Sequence, residues 1–142
     1  MRFWDTSGLV PLVVAEAQTG RAERWLREDP GVVVWMFTRV ELLSALARRR
    51  REEPGAGRRL LGARREILAA WEQWSEVNAV EVVRRHAERL VESHPIRAAD
   101  ALQIGAALVA AEEHPGSLEF VTFDERQAAA AEREGFRLLW PD

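Results

Sequence analysis

The sequence predicts an α/β fold in one helix-rich domain, with a central, mostly parallel sheet covered by helices on both faces. Short runs of β-branched and aromatic residues alternate with longer segments of helical periodicity, which is typical of parallel sheets with crossover helices. The run of residues 32–35 contains no polar residue, as in a strand buried on both faces. The length of 142 residues suits a single domain, residues 1–142, and is too short for two ordinary ones.

The first half of the chain predicts two strands and four helices. Thr6 or Ser7 can cap the first helix, in which Pro11 is tolerated only near the first turn. A turn at residues 29–31 and a break at residues 54–55 separate later elements. The predicted strands are residues 2–5 and 32–35, and the predicted helices are residues 8–15, 20–28, 38–51 and 58–74.

The second half continues this alternation and contains one helix that differs from the others. Residues 96–113 are rich in Ala and Gly and apolar around most of the circumference, which predicts a buried central helix. Pro95 precedes this helix, and Gly135 closes the next one. The remaining helices are predicted at residues 81–92 and 124–134, and the strands at residues 75–80, 118–123 and 136–140.

Composition and charge narrow the classes of protein. The 47% apolar and 30% charged residues are typical of a soluble globular protein, and no uncharged apolar stretch approaches the roughly 20 residues of a membrane span. The net charge of −3 gives no global attraction to nucleic acid. The absence of cysteine excludes disulfides and thiolate metal sites. Because no signal peptide is visible, we expect a cytoplasmic protein that has no membrane partner.

Four acidic residues fall where α/β sheets bind ligands, at the carboxyl ends of strands and the starts of helices. Asp5 and Asp124 close predicted strands, whereas Glu41 and Asp100 lie in the first turns of predicted helices. If the two strands are neighbours, the four carboxylates converge and repel one another unless a cation lies between them. Oxygen ligands select a hard ion, so the pattern predicts a site for Mg²⁺ or Mn²⁺.

Each acid also has a purely structural interpretation. Thr38 and Glu41 have the spacing of a capping box, and Asp124 can cap the helix that follows it. Asp100 can complement the dipole of its helix, although it is the one charge in an apolar stretch. Asp5 is the hardest to explain in this way, because a carboxylate at the end of a buried strand requires a partner. Taken together, the four acids favour the functional interpretation.

The segments that carry these acids are FWDTSGLV at residues 3–10, TRVELLSAL at 38–46, RAADALQIGAA at 97–107 and VTFDER at 121–126. In this order they resemble the PIN-domain nucleases, particularly the VapC-type toxin ribonucleases of bacterial toxin–antitoxin pairs. The similarity covers essentially the whole chain. Gly8 and Gly105 stand where an alanine is more usual in the family.

The resemblance implies a Mg²⁺- or Mn²⁺-dependent endoribonuclease that hydrolyses RNA phosphodiester bonds. It implies that Asp5, Asp100 and Asp124 hold one or two ions, with Glu41 binding directly or through water. It further implies a homodimer and a small antitoxin protein that covers the acidic site. Three hydroxyl residues beside the acids can bind metal water or phosphate, or can simply cap helices. These are Thr6, Ser7 and Thr122.

Every residue in the Lys and Arg total of 20 is arginine, and the densest group lies in the helices predicted at 38–51 and 58–74. The run Arg48, Arg49, Arg50 and Arg51 can follow an RNA backbone toward the site. Alternatively, these arginines form the solvated faces of two helices and are balanced by neighbouring glutamates. The arginines therefore indicate an RNA-binding patch as a group rather than singly.

Two other functions remain open. A catalytically silent module with the PIN fold would bind RNA or a protein through the arginines and would not turn over. A small-molecule phosphohydrolase is less favoured, because no Gly-rich phosphate loop follows a strand. No histidine falls within the four acid-bearing segments, so His86, His94 and His114 are interpreted as surface or capping residues.

Overall fold

A five-stranded sheet forms the centre of the computed structural model, which describes residues 1–141. The strands are β1 (Arg2–Trp4), β2 (Val32–Trp35), β3 (Ser75–Val77), β4 (Glu119–Val121) and β5 (Arg137–Leu139). Their order is β3-β2-β1-β4-β5, and Phe3 of the central strand pairs with Val33 on one side and Phe120 on the other. All neighbouring strands run parallel, which confirms the predicted sheet.

Seven α-helices within residues 1–141 connect these strands, and each overlaps a helix that the sequence predicts. They are α1 (Thr6–Val13), α2 (Thr19–Glu28), α3 (Thr38–Glu52), α4 (Gly57–Trp71), α5 (Val80–Ser93), α6 (Ala98–Ala110) and α7 (Glu125–Arg133). In this part of the chain no helix has both the length and the apolar character needed to cross a bilayer. Helix α6 is shorter than predicted, because Arg97 is extended and Glu112 and Glu113 have positive φ angles.

The start of α1 differs from the prediction. Its N-cap is Asp5, whose side chain accepts a hydrogen bond from the Gly8 amide at 2.8 Å, so neither Thr6 nor Ser7 caps the helix. Because the helix begins at Thr6, Pro11 lies in its second turn rather than its first. The loss of one backbone hydrogen bond there falls close to the end of an eight-residue helix, where few such bonds depend on it.

The two faces of the sheet pack against different helices. Alternate residues of a strand point to opposite faces, so Phe3 and Trp4 enter separate cores. The Phe3 face is covered by α5, α6 and α7, with Phe3 stacked on Phe120 at 5.3 Å between ring centroids. The Trp4 face is covered by α1, α2, α3 and α4, which contribute the buried residues Leu9, Trp25, Leu42 and Trp71. Both faces are therefore covered, as predicted.

The two glycines that depart from the family pattern lie at close contacts. A Cβ atom on Gly105 of α6 would lie 2.9 Å from the Val83 carbonyl oxygen of α5, too close for any side chain. A Cβ atom on Gly8 would lie 3.1 Å from the Val121 carbonyl oxygen. Glycine at these positions lets α6 approach α5 and lets α1 approach β4, so packing accounts for both departures.

The environment of His94 departs in part from the prediction of a surface or capping residue. It is buried at the end of α5, and its Nε2 atom lies 2.7 Å from a carboxylate oxygen of Glu134 beyond α7. Arg89 donates to the same carboxylate at 2.7 Å. This hydrogen bond lowers the pKa of Glu134 and so favours its ionised form. His94 occupies the C-cap position of α5, as a capping residue would, but it is buried rather than on the surface, because it meets a partner 40 positions away in the sequence.

Candidate metal centre

All four predicted acids line one cavity of about 650 Å³ at the carboxyl edge of the sheet. Asp5 follows β1 and Asp124 follows the neighbouring β4, while Glu41 and Asp100 come from the first turns of α3 and α6. The parallel order of the strands places these elements at the same edge. The structure thus brings the four acids together, whereas their role as metal ligands stays a prediction.

Asp5 is the most deeply buried of the four, with 3% of its surface exposed. Its Oδ1 atom accepts hydrogen bonds from the Ser7 hydroxyl at 2.7 Å and the Gly8 amide at 2.8 Å, and its Oδ2 atom accepts one from the Thr122 hydroxyl at 2.6 Å. Burial raises the pKa of the Asp5 carboxyl to about 7, against the effect of these donors, and the charge of Asp124 raises it further. The carboxyl group is therefore held rigidly in a place that disfavours its unpaired charge.

Two of the predicted hydroxyl residues fix Asp5 in place. Ser7 and Thr122 lie 3.1 Å apart between their hydroxyl oxygens, and both donate to Asp5. The Ser7 hydroxyl accepts from the Phe123 amide at 2.9 Å, and the Thr122 hydroxyl accepts from the Asp124 amide at 3.0 Å. These contacts join the end of β1 to the turn between β4 and α7, so neither hydroxyl serves as a helix N-cap.

Glu41 is half-buried and is held by residues of two other helices. Its Oε2 atom accepts from the Thr6 hydroxyl at 2.7 Å, and its Oε1 atom accepts from the Gln103 amide at 3.2 Å. Burial, and to a smaller extent the charge of Asp100, raises the pKa of Glu41. Helix α3 has no side-chain cap, so the capping box of Thr38 and Glu41 does not form.

Asp100 and Asp124 both combine a structural contact with exposure to the cavity. The Oδ2 atom of Asp100 accepts a hydrogen bond from the backbone amide of Arg97 at 3.3 Å, and the Oδ1 atom of Asp124 accepts one from the backbone amide of Gln127 at 2.9 Å. Each contact uses one carboxylate oxygen and stabilises the start of a helix. Burial, followed by the charge of Asp124, raises the pKa of Asp100. The capping role predicted for Asp124 is thus present, and it leaves a second oxygen for a ligand.

The sequence did not single out Gln103, which organises the cavity from α6. Its amide nitrogen donates to the Thr38 hydroxyl at 2.8 Å, the Thr6 hydroxyl at 3.0 Å and Glu41 at 3.2 Å, while only 2% of its surface is exposed. Its carbonyl oxygen is buried without a partner, as is that of Gln127. A polar residue one turn after Asp100 in an otherwise apolar helix was the signal that could have found it.

These residues fit a hard divalent ion. Carboxylates, hydroxyls and two unpartnered amide oxygens make an all-oxygen donor set. A cation would offset the burial and, to a smaller extent, the mutual repulsion that raise the pKa values of Asp5 and Asp100. Within residues 1–141, no three acids or histidines approach closely enough to form a preformed metal cluster. Mg²⁺ does not require such a cluster, since it usually retains several waters and takes only one or two carboxylates directly.

The arginines of the predicted RNA-binding run do not share one environment. Arg48 lines the cavity, whereas Arg49 forms ion pairs with Glu16 at 3.8 Å and Glu53 at 3.7 Å. Arg50 and Arg51 lie farther along α3 and do not line this cavity. Arg97, which the sequence did not assign to substrate binding, lines it beside Asp100. The basic side chains at the cavity are therefore Arg48 and Arg97.

Comparison with known proteins identifies the family. The profile of the PIN domain matches residues 2–133, so the chain belongs to the PIN domain family. Its fold is similar to that of a toxin–antitoxin complex from Klebsiella pneumoniae, with a TM-score of 0.65, 15% identity and 91% of each chain covered. It is also similar to FitAcB from Neisseria gonorrhoeae, with a TM-score of 0.58, 17% identity and coverage of 98% of this chain and 96% of that one. No curated protein sequence matches the chain significantly.

Proposed function

We propose that this protein is a Mg²⁺- or Mn²⁺-dependent endoribonuclease and the toxin of a toxin–antitoxin pair. The PIN family, to which the chain belongs, is one of nuclease-type hydrolases. The observation that carries the proposal is the convergence of Asp5, Glu41, Asp100 and Asp124, from four separate elements, on one cavity. Asp5 is buried and Glu41 and Asp100 are half-buried beside the exposed Asp124, and such a concentration of carboxylates destabilises the fold unless it has a functional partner.

The residues of the cavity have complementary tasks in this proposal. A divalent ion bound there would supply Lewis acidity for hydrolysis of the phosphodiester. Asp5, Asp100 and Asp124 would hold the ion, with Asp5 kept in position by Ser7 and Thr122. Thr6 and Gln103 orient Glu41.

Two arginines supply the positive charge that the substrate needs. Arg48 and Arg97 line the same cavity as the acids and can make bidentate contacts to phosphate oxygens. Because the net charge of the chain is −3, attraction of RNA depends on such local groups rather than on the protein as a whole. A divalent ion held by the carboxylates would offset the remaining negative charge of the phosphate.

The proposal is tested by an RNA cleavage assay on the wild type and on Asp5→Asn, each with Mg²⁺, Mn²⁺ or EDTA. We expect cleavage that EDTA abolishes and that Asp5→Asn lowers by more than about a hundredfold, since even the outer-shell partners of metal ligands are worth 10- to 100-fold. Glu92→Gln is the matched control, because Glu92 is an exposed acid on α5 away from the cavity. Equal activity of Asp5→Asn and the wild type would refute the proposal.

A partner protein forms a second part of the proposal. The solved structures with a similar fold include a toxin–antitoxin complex, and the family resemblance implies a homodimer and a small antitoxin in the cytoplasm. Val40 lines the cavity and is 62% exposed, and Phe37 at the N-cap of the same helix is 45% exposed, which would suit an apolar contact with such a partner. Co-purification with a small protein encoded beside it, and loss of cleavage in that complex, is the expected result; unchanged cleavage would contradict it.

One observation favours a second candidate function. Because no three acids within the described residues form a preformed metal cluster, a catalytically silent module that binds RNA or a protein is the main alternative. That module would bind RNA without added metal and with strong salt dependence, and would give no cleavage at any metal concentration. The cleavage assay therefore separates the two functions directly.

A further inference from the structure

A second cavity of about 560 Å³ adjoins the acids on the side away from Arg48. We propose that it is a nucleotide-binding subsite, so that a single RNA strand crosses the site with one nucleotide in each cavity and the scissile phosphate between them. This inference rests on the proposed ribonuclease function and specifies how its substrate lies. The lining of the second cavity is Arg97, Ala99, Asp100, Phe123, Asp124, Glu125 and Arg126.

The two cavities share a wall that contains the chemistry. Asp100, Asp124 and Arg97 line both of them, whereas Arg48 lines only the first and Arg126 only the second. Each volume falls within the roughly 300–1,000 Å³ that is usual for small-molecule sites. A phosphodiester placed against the shared carboxylates would therefore have space for a nucleotide on both sides.

Arginine side chains in both cavities are available to the phosphates of an RNA backbone. Arg97 and Arg126 are both near enough to Asp100 to lower its pKa, although burial raises it overall. Within residues 1–141, neither guanidinium lies within 4.0 Å of an acid in an ion pair, and the same holds for Arg48. The first cavity thus presents Arg48, the second presents Arg126 and their shared wall presents Arg97, so a cationic group is available to a phosphate on either side of the shared carboxylates.

The second cavity also offers an aromatic surface for a base. Phe123 is partly buried, and Trp25 holds its ring in a stacked arrangement with 5.3 Å between centroids and 14° between planes. Its backbone amide is fixed by the Ser7 hydroxyl at 2.9 Å. An immobilised ring beside unpaired arginines is the combination that binds unpaired bases by stacking. A base in a duplex cannot reach such a surface, so the inferred ligand is single-stranded RNA.

The test compares Arg126→Ala with Arg48→Ala on three oligoribonucleotides centred on a mapped cleavage site. One extends on both sides of the cut, and the other two are shortened to a single nucleotide on either the 5′ or the 3′ side. We expect each variant to lower kcat/KM about tenfold or more on the long substrate, as for loss of a charged hydrogen bond. The shortened side keeps the nucleotide that fills its cavity but lacks the phosphate beyond it. Each variant should therefore have little effect on the substrate that lacks the phosphate its own arginine would bind, and the affected side should differ between the two. Arg85→Ala, an exposed arginine on α5 outside both cavities, is the matched control and should behave as the wild type.

Two results would overturn the inference. One is unchanged kinetics of Arg126→Ala on the long substrate; the other is an equal loss for both variants on all three substrates, which would indicate one continuous basic surface. If the wild type cleaves no RNA, the proposed function fails, and anisotropy of fluorescent single-stranded RNA then tests the subsite alone. Weaker binding by Arg126→Ala than by Arg85→Ala would support the subsite, and equal binding would overturn it.

Discussion

Helix α6 takes part in two regions that use burial in opposite ways. Near its start, Gln103 is buried beside the acids with an unpartnered carbonyl oxygen, and Asp5 opposite it is buried with a pKa raised to about 7. Two residues later, Gly105 packs directly on the backbone of α5 among apolar side chains. The first region is incompletely satisfied without a ligand, whereas the second is complete in the protein alone. We therefore expect the α5–α6 contact to stabilise the fold, and the cavity to destabilise it when no ligand is bound.

The largest effect should appear in the stability of the metal-free protein as a function of pH. Asp5 has a pKa of about 7 in the folded chain, whereas the ordinary pKa of an aspartate is 3.8, so its contribution is fully present below pH 3.8 and is lost as the pH rises to 7. At 1.36 kcal/mol per pH unit the loss amounts to about 4 kcal/mol. In EDTA, denaturant titrations should show Asp5→Asn gaining stability relative to the wild type between pH 4 and 7.

Two further observations bear on that pH dependence. Glu41 and Asp100 also have raised pKa values, so the wild type should retain part of the trend when Asp5 is replaced. Addition of Mg²⁺ at pH 8 should restore the wild type and leave Asp5→Asn unchanged. Parallel stability curves for the two proteins across this pH range would show that Asp5 is not buried in a destabilising charged form.

A smaller effect is expected at the α5–α6 contact. Gly105→Ala would place a Cβ atom 2.9 Å from a backbone oxygen, and such overpacking costs about 1–3 kcal/mol, more than the gain of up to about 1 kcal/mol in helix propensity. Gly62→Ala is the matched control in α4, since nothing lies within 4 Å of its added Cβ atom, and it should be neutral or stabilising. Thermal or denaturant unfolding measures both; a neutral Gly105→Ala would contradict the close contact.

The smallest effect concerns Gln103, which lies at the boundary of the two regions. Gln103→Leu keeps the side chain's bulk but removes the hydrogen bond that orients Glu41, so half-maximal cleavage should require about tenfold more Mg²⁺. Gln103→Glu should be worse than Gln103→Leu, because it places a further negative charge beside Glu41. If the Mg²⁺ dependence of both variants equals that of the wild type, Gln103 has only a packing role.

Sequence patterns were sufficient for the features that depend on neighbouring residues. The alternating apolar runs predicted the parallel sheet and the helices that cover it, and parallel topology alone brought Asp5 and Asp124 to one edge. The features that the sequence missed depend on residues far apart in the chain. His94 is buried because it meets Glu134, and Gln103 matters because it meets Thr6 and Glu41.

Local capping preferences were ambiguous for a related reason. Ser7 and Thr6 are both good N-cap residues, yet Asp5 caps α1. The Thr6 hydroxyl instead donates to Glu41, and the Ser7 hydroxyl donates to Asp5. The spacing of Thr38 and Glu41 fits a capping box, but Gln103 donates to both side chains instead. For Thr6, Thr38 and Glu41, contacts with distant residues replace the local ones, and all three residues line the cavity or support its lining.

The most direct test of the shared metal site is titration of the protein with Mn²⁺, followed by calorimetry or electron paramagnetic resonance near pH 7.5. We predict saturable binding by the wild type and by Glu92→Gln, and binding weakened by more than about a hundredfold in Asp5→Asn. Equal affinity in Asp5→Asn, or no binding by the wild type, would contradict a metal centre formed by these four carboxylates.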